Sequence, residues 1–202
     1  MGFLQDRLSN DIRSASAGIG AGAEDDADDP SHPWEKSPVP PEFQVRGLGS
    51  ITMSVPDLKT TDAVLTTLMA MQPVNRFGDT HVYKMAGNGP VAELLVQVEP
   101  NLAPAGQGAG AVHHVAFNIP MADYQGWADR LKSLRIPNSG PVDRFWFKSL
   151  YFREPNGILF EIATDQPGFA ADEPMETLGE SLSLPPFLEA KRKVIEAGLK
   201  KL

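Results

Sequence analysis

Few side chains in this chain could hold a metal or move a proton. It has four histidines and no cysteine in 202 residues, so thiolate zinc sites, disulfides and cysteine nucleophiles are excluded together. Any metal must sit on imidazole and carboxylate. Two of the histidines are adjacent, His113 and His114, near the head of the run AVHHVAFNIP. Glu161 interrupts the apolar run ILFEIA, where a carboxylate is costly unless something pairs with it or coordinates it. A strand alternates its faces, so adjacent histidines are expected to point opposite ways. His113 would share a face with Val115, Phe117 and Ile119, an apolar set suited to packing against helices. His114 would share the other with Ala116 and Asn118, which leave room for a pocket. Glu161 would lie with Leu159 and Ala163, with Phe160 and Ile162 behind. His114 and Glu161 are thus a candidate pair for one cation, two of the three ligands of a 2-His-1-carboxylate Fe(II) site. Spacing alone leaves the alternatives open: a strand histidine is commonly an interior hydrogen-bonding group, and a strand glutamate commonly pairs with arginine. His32, in a Pro-rich segment, and His81, near a turn, read as surface residues.

The elements that must position these residues come from an internal repeat. GLGSITMSVP, residues 47–56, aligns with AVHHVAFNIP, residues 111–120, at an offset of 64. Each is an alternating strand stopped by proline. After the first comes Asp57, a helix cap, and then Leu58, Leu65, Leu68 and Met69 at helical spacing. After the second, Met121, Tyr124, Trp127, Leu131 and Leu134 fall on one helical face. Strand-like runs follow each helix: THVYKM and VAELLVQV around Asn88-Gly89, then RFWFKSLYF and ILFEIAT around Asn156-Gly157. The expected fold is α+β: two paired β-α-β-β-β modules, residues 46–100 and 111–166, joined by a Gly- and Ala-rich linker and forming a cupped mixed sheet.

The flanks differ from this body. Of the formal net charge of -8, most falls in residues 1–45, an acidic, Pro-rich segment that cannot supply a packed core. Residues 167–202 read as a tail ending in an amphipathic capping helix, FLEAKRKVIEAGLKKL, with its basic residues toward the C-terminal end as the helix dipole favours. The negative charge opposes phosphate backbones and anionic membranes, so neither nucleic acid nor membrane is an expected partner. No secretory signal or long apolar span is present, and a soluble cytoplasmic protein is expected.

The repeated module, with VHHVAF opening one strand and LFEIATD closing another, resembles the vicinal oxygen chelate superfamily, which includes glyoxalases, bleomycin resistance proteins and dioxygenases. The stretch from Arg144 to Pro186, with its tail of GF, an acidic patch, ETLGE and LPP, is similar to the C-terminal half of ring-cleaving dioxygenases that open hydroquinones. That resemblance covers residues 24–202. It implies an Fe(II) centre, Mn(II) in some members, held by two His and one Glu, with His114 as the second His ligand and Glu161 as the carboxylate. It also implies His113 as a neighbour of the ligand, and Arg144 and Tyr151 on the substrate side; an ion pair of Arg144 with Asp143 and an ordinary strand role for Tyr151 remain the alternatives. The implied reaction is the oxidative opening of a hydroquinone-type or other phenolic ring by O2, an oxidoreductase activity. A glyoxalase-type lyase fits the Arg144 to Pro186 stretch less well.

The chain departs from this pattern in one respect. Full-length relatives carry four modules and place a first His ligand in the opening strand of module one. Here the positions matching His113 and His114 in the first copy are Gly49 and Ser50, and Glu93 is a weak substitute for Glu161. Residues 3–8 resemble 126–131, and 27–30 resemble the end of ILFEIATD, so residues 1–45 read as the remnant of a lost domain. Two expectations compete: a metal-dependent dioxygenase polypeptide whose third ligand comes from another chain or is lost, or a non-catalytic domain of this fold that binds an aromatic ligand or a partner, or persists as a truncated remnant. A homodimer or an aggregation-prone monomer is expected, because a missing domain would leave apolar surface to cover.

Overall fold

The computed structural model describes residues 33–44, 49–87, 92–103, 106, 108 and 111–200, together with the backbone of 12–14. The segments 3–8 and 27–30, His32 and the Asn88-Gly89 turn lie outside the described residues. The chain divides into two compact units: described residues up to His114 with Glu154–Ile158, and residues 115–153 with 159–200.

In the first unit, β2 (Ile51–Val55) runs parallel to β5 (Glu93–Val98). Antiparallel β4 (Thr80–Lys84) and β3 (Gln72–Phe77) extend the sheet on one side. A short β1 (Ile12–Ser14), which the sequence pattern does not mark, pairs antiparallel with β2 on the other. Between β2 and β3, α1 (Leu58–Ala63) starts at Asp57, whose carboxylate accepts from the Lys59 N–H at 3.0 Å and the Thr60 hydroxyl at 2.8 Å. Such a cap satisfies helix-start donors that have no partner within the helix. The helix continues as a π turn, Val64–Leu68, that buries Leu65 and Leu68. The Tyr83 hydroxyl donates to Asp62 at 2.7 Å, and burial followed by that carboxylate pushes its phenol up.

The second unit repeats the plan. Its β6 (Val115–Ile119) is parallel to β9 (Leu159–Thr164), with antiparallel β8 (Lys148–Arg153) and a two-residue β7 (Val142–Asp143) beyond. One face buries Val115, Phe117, Leu150, Phe152, Phe160 and Ile162, with the Phe160 ring 5.0 Å from Phe117 and 5.6 Å from Phe152. The helix α2 (Tyr124–Ser133) buries Tyr124 and Leu131. Leu134, expected on the same helical face, is half exposed instead. The helix ends at Ser133, and the Arg135 and Ile136 amides close back onto the Lys132 and Leu131 carbonyls with Arg135 at φ 55°. That left-handed closure turns Leu134 out and carries the chain away.

Three further expectations need correction. The strand read over RFWFKSLYF starts only at Lys148, because the Arg144 amide bonds the Phe147 carbonyl at 2.9 Å in a tight turn with Phe145 at φ 75°. The first strand after each helix, β3 and β7, escaped the pattern: every residue of β3 is exposed and β7 is two residues long. The C-terminal run forms a 3-10 turn, Pro186–Lys191, and then α3 (Arg192–Gly198), neither of which buries a residue. Phe187 and Val194 are 70% and 77% exposed, so this segment does not dock as a capping helix. Arg192 anchors it through Glu189 and the Leu182 carbonyl. His81 lies within β4 and is half-buried.

The hairpin tip between β8 and β9 belongs to the first unit. Glu154, 2% exposed, accepts from the Thr61 hydroxyl of α1 at 2.8 Å and from the Ile158 amide at 3.1 Å. The Asn156 side chain donates to the Asp57 carbonyl at 3.0 Å and to the Thr61 hydroxyl at 2.7 Å. Gly157, at φ 96°, supplies the left-handed position that the turn requires. The Asn-Gly turn therefore clamps the start of α1 as well as reversing the chain.

Candidate active site

The less apolar face of the second sheet carries the carboxylate. Glu161 pairs across to Ala116 of β6 on one side and to Tyr151 of β8 on the other. It is 3% exposed although its face neighbours Leu159 and Ala163 are only half-buried. Oε1 accepts from the Tyr151 hydroxyl at 2.7 Å and from the Ser149 hydroxyl. Residues 149, 151 and 161 share this face because strand neighbours two apart project alike and the β8–β9 register sets Tyr151 opposite Glu161.

Arg144 leaves the tight turn before β8 and reaches back over Tyr151. Its Nη2 donates to the Tyr151 hydroxyl at 3.3 Å, and its guanidinium carbon lies 5.5 Å from the ring centroid, a cation–π distance. The turn is pinned from the tail: the Trp146 indole N–H donates to Asp172 at 2.7 Å, and the Ser183 hydroxyl donates to the other oxygen of the same carboxylate. Those two bonds hold the Asp172 carboxyl below the usual carboxylate range. Three sequence-predicted residues, Arg144, Tyr151 and Glu161, thus form one hydrogen-bonded line. Ser149 and Asp172 were not singled out from the sequence; the polar residue two before Tyr151 was the only available signal for Ser149.

The histidines adopt a different arrangement from the alternating one expected. Both precede β6, which begins at Val115, and their Nδ1 atoms lie 2.9 Å apart with the rings edge to face. Outside the pleat the backbone no longer forces neighbours to opposite faces, so His113 does not join the apolar set of Val115, Phe117 and Ile119; it is exposed, and His114 is half-buried. An Nδ1 to Nδ1 bond needs one ring protonated there and the other not, which commits both Nδ1 atoms and leaves each Nε2 for other partners. His114 and Glu161 fall in different units, and each is described within its own. Among the described residues no group of three or more His, Asp or Glu side chains could hold a metal ion.

Register also settles the comparison of the two copies. Thr52 and Ala116 correspond under the 64-residue offset, and they pair with Leu95 and Glu161. Leu95 is therefore the counterpart of Glu161, and Glu93 falls at the place of Leu159 rather than of the carboxylate. By the same reasoning Val82 stands for Tyr151 and Thr80 for Ser149. The polar constellation belongs to the second sheet.

A repeated β-α-β-β-β sheet module with a buried carboxylate beside hydroxyl donors defines a glyoxalase-like α+β protein. The chain belongs to the Glyoxalase/Bleomycin resistance protein/Dioxygenase superfamily, whose family model matches residues 47–162. It is 41% identical over 174 residues to the candidate ring-cleaving dioxygenase MhqA of Bacillus subtilis (strain 168), covering 83% of this chain and 55% of that protein. It is 33% identical over 175 residues to a chlorohydroquinone/hydroquinone 1,2-dioxygenase of Sphingobium indicum, covering 82% of this chain and 53% of that protein. The chain spans about half the length of these curated relatives. Among solved structures, a candidate dioxygenase from Bacillus subtilis superposes with a TM-score of 0.78 at 35% identity, covering 85% of this chain and 55% of that one. Among the described residues, no helix is long and apolar enough to cross a membrane.

Proposed function

We propose that this chain works as a metal-dependent ring-cleaving dioxygenase polypeptide acting on hydroquinone-type aromatic rings. The observation that carries the reading is the Arg144–Tyr151–Glu161 line, which sets a cation, a proton donor and a buried carboxylate on one sheet face. The names of the relatives supply the substrate class. The donor set suits a divalent cation: Glu161 is buried, its two hydroxyl partners are neutral, and imidazole with carboxylate is the ligand chemistry of non-haem iron. In this reading His114 and Glu161 hold Fe(II) or Mn(II), and a third ligand comes from another chain, as in a homodimer. Such a metal, when bound, supplies the electron-transfer chemistry by which a phenolic ring and O2 react.

The chain's own residues then do the rest. Arg144 offers positive charge to a phenolate oxygen arriving over Tyr151. The Tyr151 hydroxyl, shared between Arg144 and Glu161, gives or takes a proton at the ring oxygen. His113 fixes the orientation of the His114 ring through its Nδ1 bond.

Anaerobic loading with Fe(II), followed by oxygen-uptake measurements with substituted hydroquinones, tests the reading. Uptake that disappears in His114→Ala and Glu161→Gln, with loss of bound metal, is expected. No uptake, and metal content unchanged in His114→Ala, would overturn it. The rival is a non-catalytic domain that binds an aromatic ligand, and its supporting feature is Ser50, which stands in the first copy where an imidazole would be needed. Hydroquinone binding with no metal present would support that rival.

A further inference from the structure

We infer that Asp172 is a positioning residue for Arg144: by holding the Trp146 indole, it keeps the turn that carries Arg144 in the shape that lays the guanidinium over Tyr151. The inference rests on the reading of Arg144 as the group that meets a phenolate oxygen. It deepens that reading by assigning the placement of the arginine to the C-terminal tail.

The two copies differ at this turn. In the first sheet, β3 and β4 are joined by Gly78 and Asp79 alone, with Gly78 at φ 58°. So tight a hairpin needs a left-handed residue, and glycine adopts that conformation without a clash. In the second sheet, β7 and β8 pair as far as Asp143 and Lys148, so Arg144 to Phe147 form a longer turn. The left-handed position there falls on Phe145, at φ 75°, where a bulky side chain is strained. Such a turn keeps its shape only where the surrounding contacts over-determine it.

Two of those contacts are local. The Arg144 amide donates to the Phe147 carbonyl at 2.9 Å, and the Phe145 amide donates to the Asp143 carboxylate at 2.7 Å. The tail supplies the others. The Gly168 amide donates to the Trp146 carbonyl at 2.8 Å, and the Phe169 ring lies 6.0 Å from the Trp146 ring. Asp172 takes the indole proton at 2.7 Å and is itself fixed by the Ser183 hydroxyl on its other oxygen. Trp146 is thus gripped at its backbone and at the far end of its side chain. The Phe145 ring packs edge to face against it at 5.3 Å, so the strained residue is braced by the anchored one.

Arg144 directly precedes this pair. Its side chain is exposed, and exposed polar contacts hold a long, many-rotor side chain weakly. The bond and the ring contact to Tyr151 therefore depend on the direction in which the backbone launches the side chain, and the tail sets that direction through Trp146.

The test uses the full chain and two measurements: oxygen uptake with hydroquinone after Fe(II) loading, and the nuclear magnetic resonance signal of the Arg144 Nε–H, identified as the one lost in Arg144→Lys. Asp172→Ala is expected to raise the hydroquinone KM on the order of 10-fold, with kcat changed far less, and to move the Arg144 signal toward that of the unfolded chain. Trp146→Phe, which keeps a ring but lacks the indole proton, should do the same, and it carries the comparison if Asp172→Ala does not fold. In the Arg144→Lys background, Asp172→Ala should raise KM no further, because its effect passes through the guanidinium. A merely structural role would add its full cost on top of Arg144→Lys, and that result overturns the inference. An Arg144 signal unmoved in both folded Asp172→Ala and Trp146→Phe overturns it as well. If the wild type takes up no oxygen with hydroquinone, the dioxygenase reading fails by itself, and the Arg144 signal still decides whether Asp172 places the guanidinium.

Discussion

The Tyr151 hydroxyl donates to Glu161 Oε1 at 2.7 Å across an antiparallel strand pair in which the two residues face each other. The same hydroxyl accepts from Arg144 at 3.3 Å. Residues 144, 151 and 161 meet because one hairpin folds them onto a single face, and the matching positions of the first sheet hold Val82 and Leu95.

Tyr151→Phe removes the shared hydroxyl but keeps the ring beneath Arg144. Hydroquinone-dependent oxygen uptake is expected to fall about 10²–10⁴-fold, the usual contribution of a positioned proton donor. Stability should fall by about 1–3 kcal/mol, the cost of taking a hydroxyl donor from a buried carboxylate. Oxygen-electrode rates and urea unfolding report the two quantities separately. Unchanged uptake would remove Tyr151 from the chemistry.

The clamp at the β8–β9 turn should matter for folding. Thr61 is fully buried and donates to the equally buried Glu154, while accepting from Asn156. Thr61→Ala takes a hydroxyl donor from a buried carboxylate, which should cost about 1–3 kcal/mol. A shift in the urea midpoint, with coupling to Glu154→Gln in a double-mutant cycle, checks it. Additive effects of the two substitutions would show that the pair does not act as a unit.

The tail's grip on the Arg144 turn should be sensitive to acid. Hydrogen bonds from Ser183 and Trp146 lower the Asp172 pKa below its unfolded value, which is about 3.9. Its stabilising contribution is therefore complete above that unfolded value and is lost as pH falls through the lower folded one. The part of the tryptophan emission that disappears in Trp146→Phe should shift to the red at that low pH, and Asp172→Asn should abolish the transition. An unaltered transition in Asp172→Asn would assign the acid response elsewhere.

Much of the fold was legible because it is written in short-range periodicity. The 64-residue repeat, the proline stops, the Asp57 cap and the alternation around Glu161 all survive in the structure. The two missed strands failed for a local reason: an exposed edge and a two-residue pair leave no apolar alternation to detect. Phe145 misled the reading of RFWF, since its apolar character suggests a strand while the tight turn demands positive φ. At the site, the sequence pointed to Glu161 through the carboxylate in an apolar run and to Arg144 and Tyr151 through resemblance, whereas the one signal for Ser149 was a polar residue two before Tyr151.

By itself, the sequence determined the family, the module repeat and the placing of Glu161 on the less apolar face of its strand, because faces and helix starts depend on neighbours within a few residues. Tertiary structure decided the rest. It turned His113 toward His114 ahead of the strand, made Leu95 rather than Glu93 the counterpart of Glu161, and aimed two hydroxyls at one carboxylate oxygen. Those outcomes depend on strand register and turn geometry, which are fixed by pairing residues far apart in the chain and which a one-residue slip would reverse.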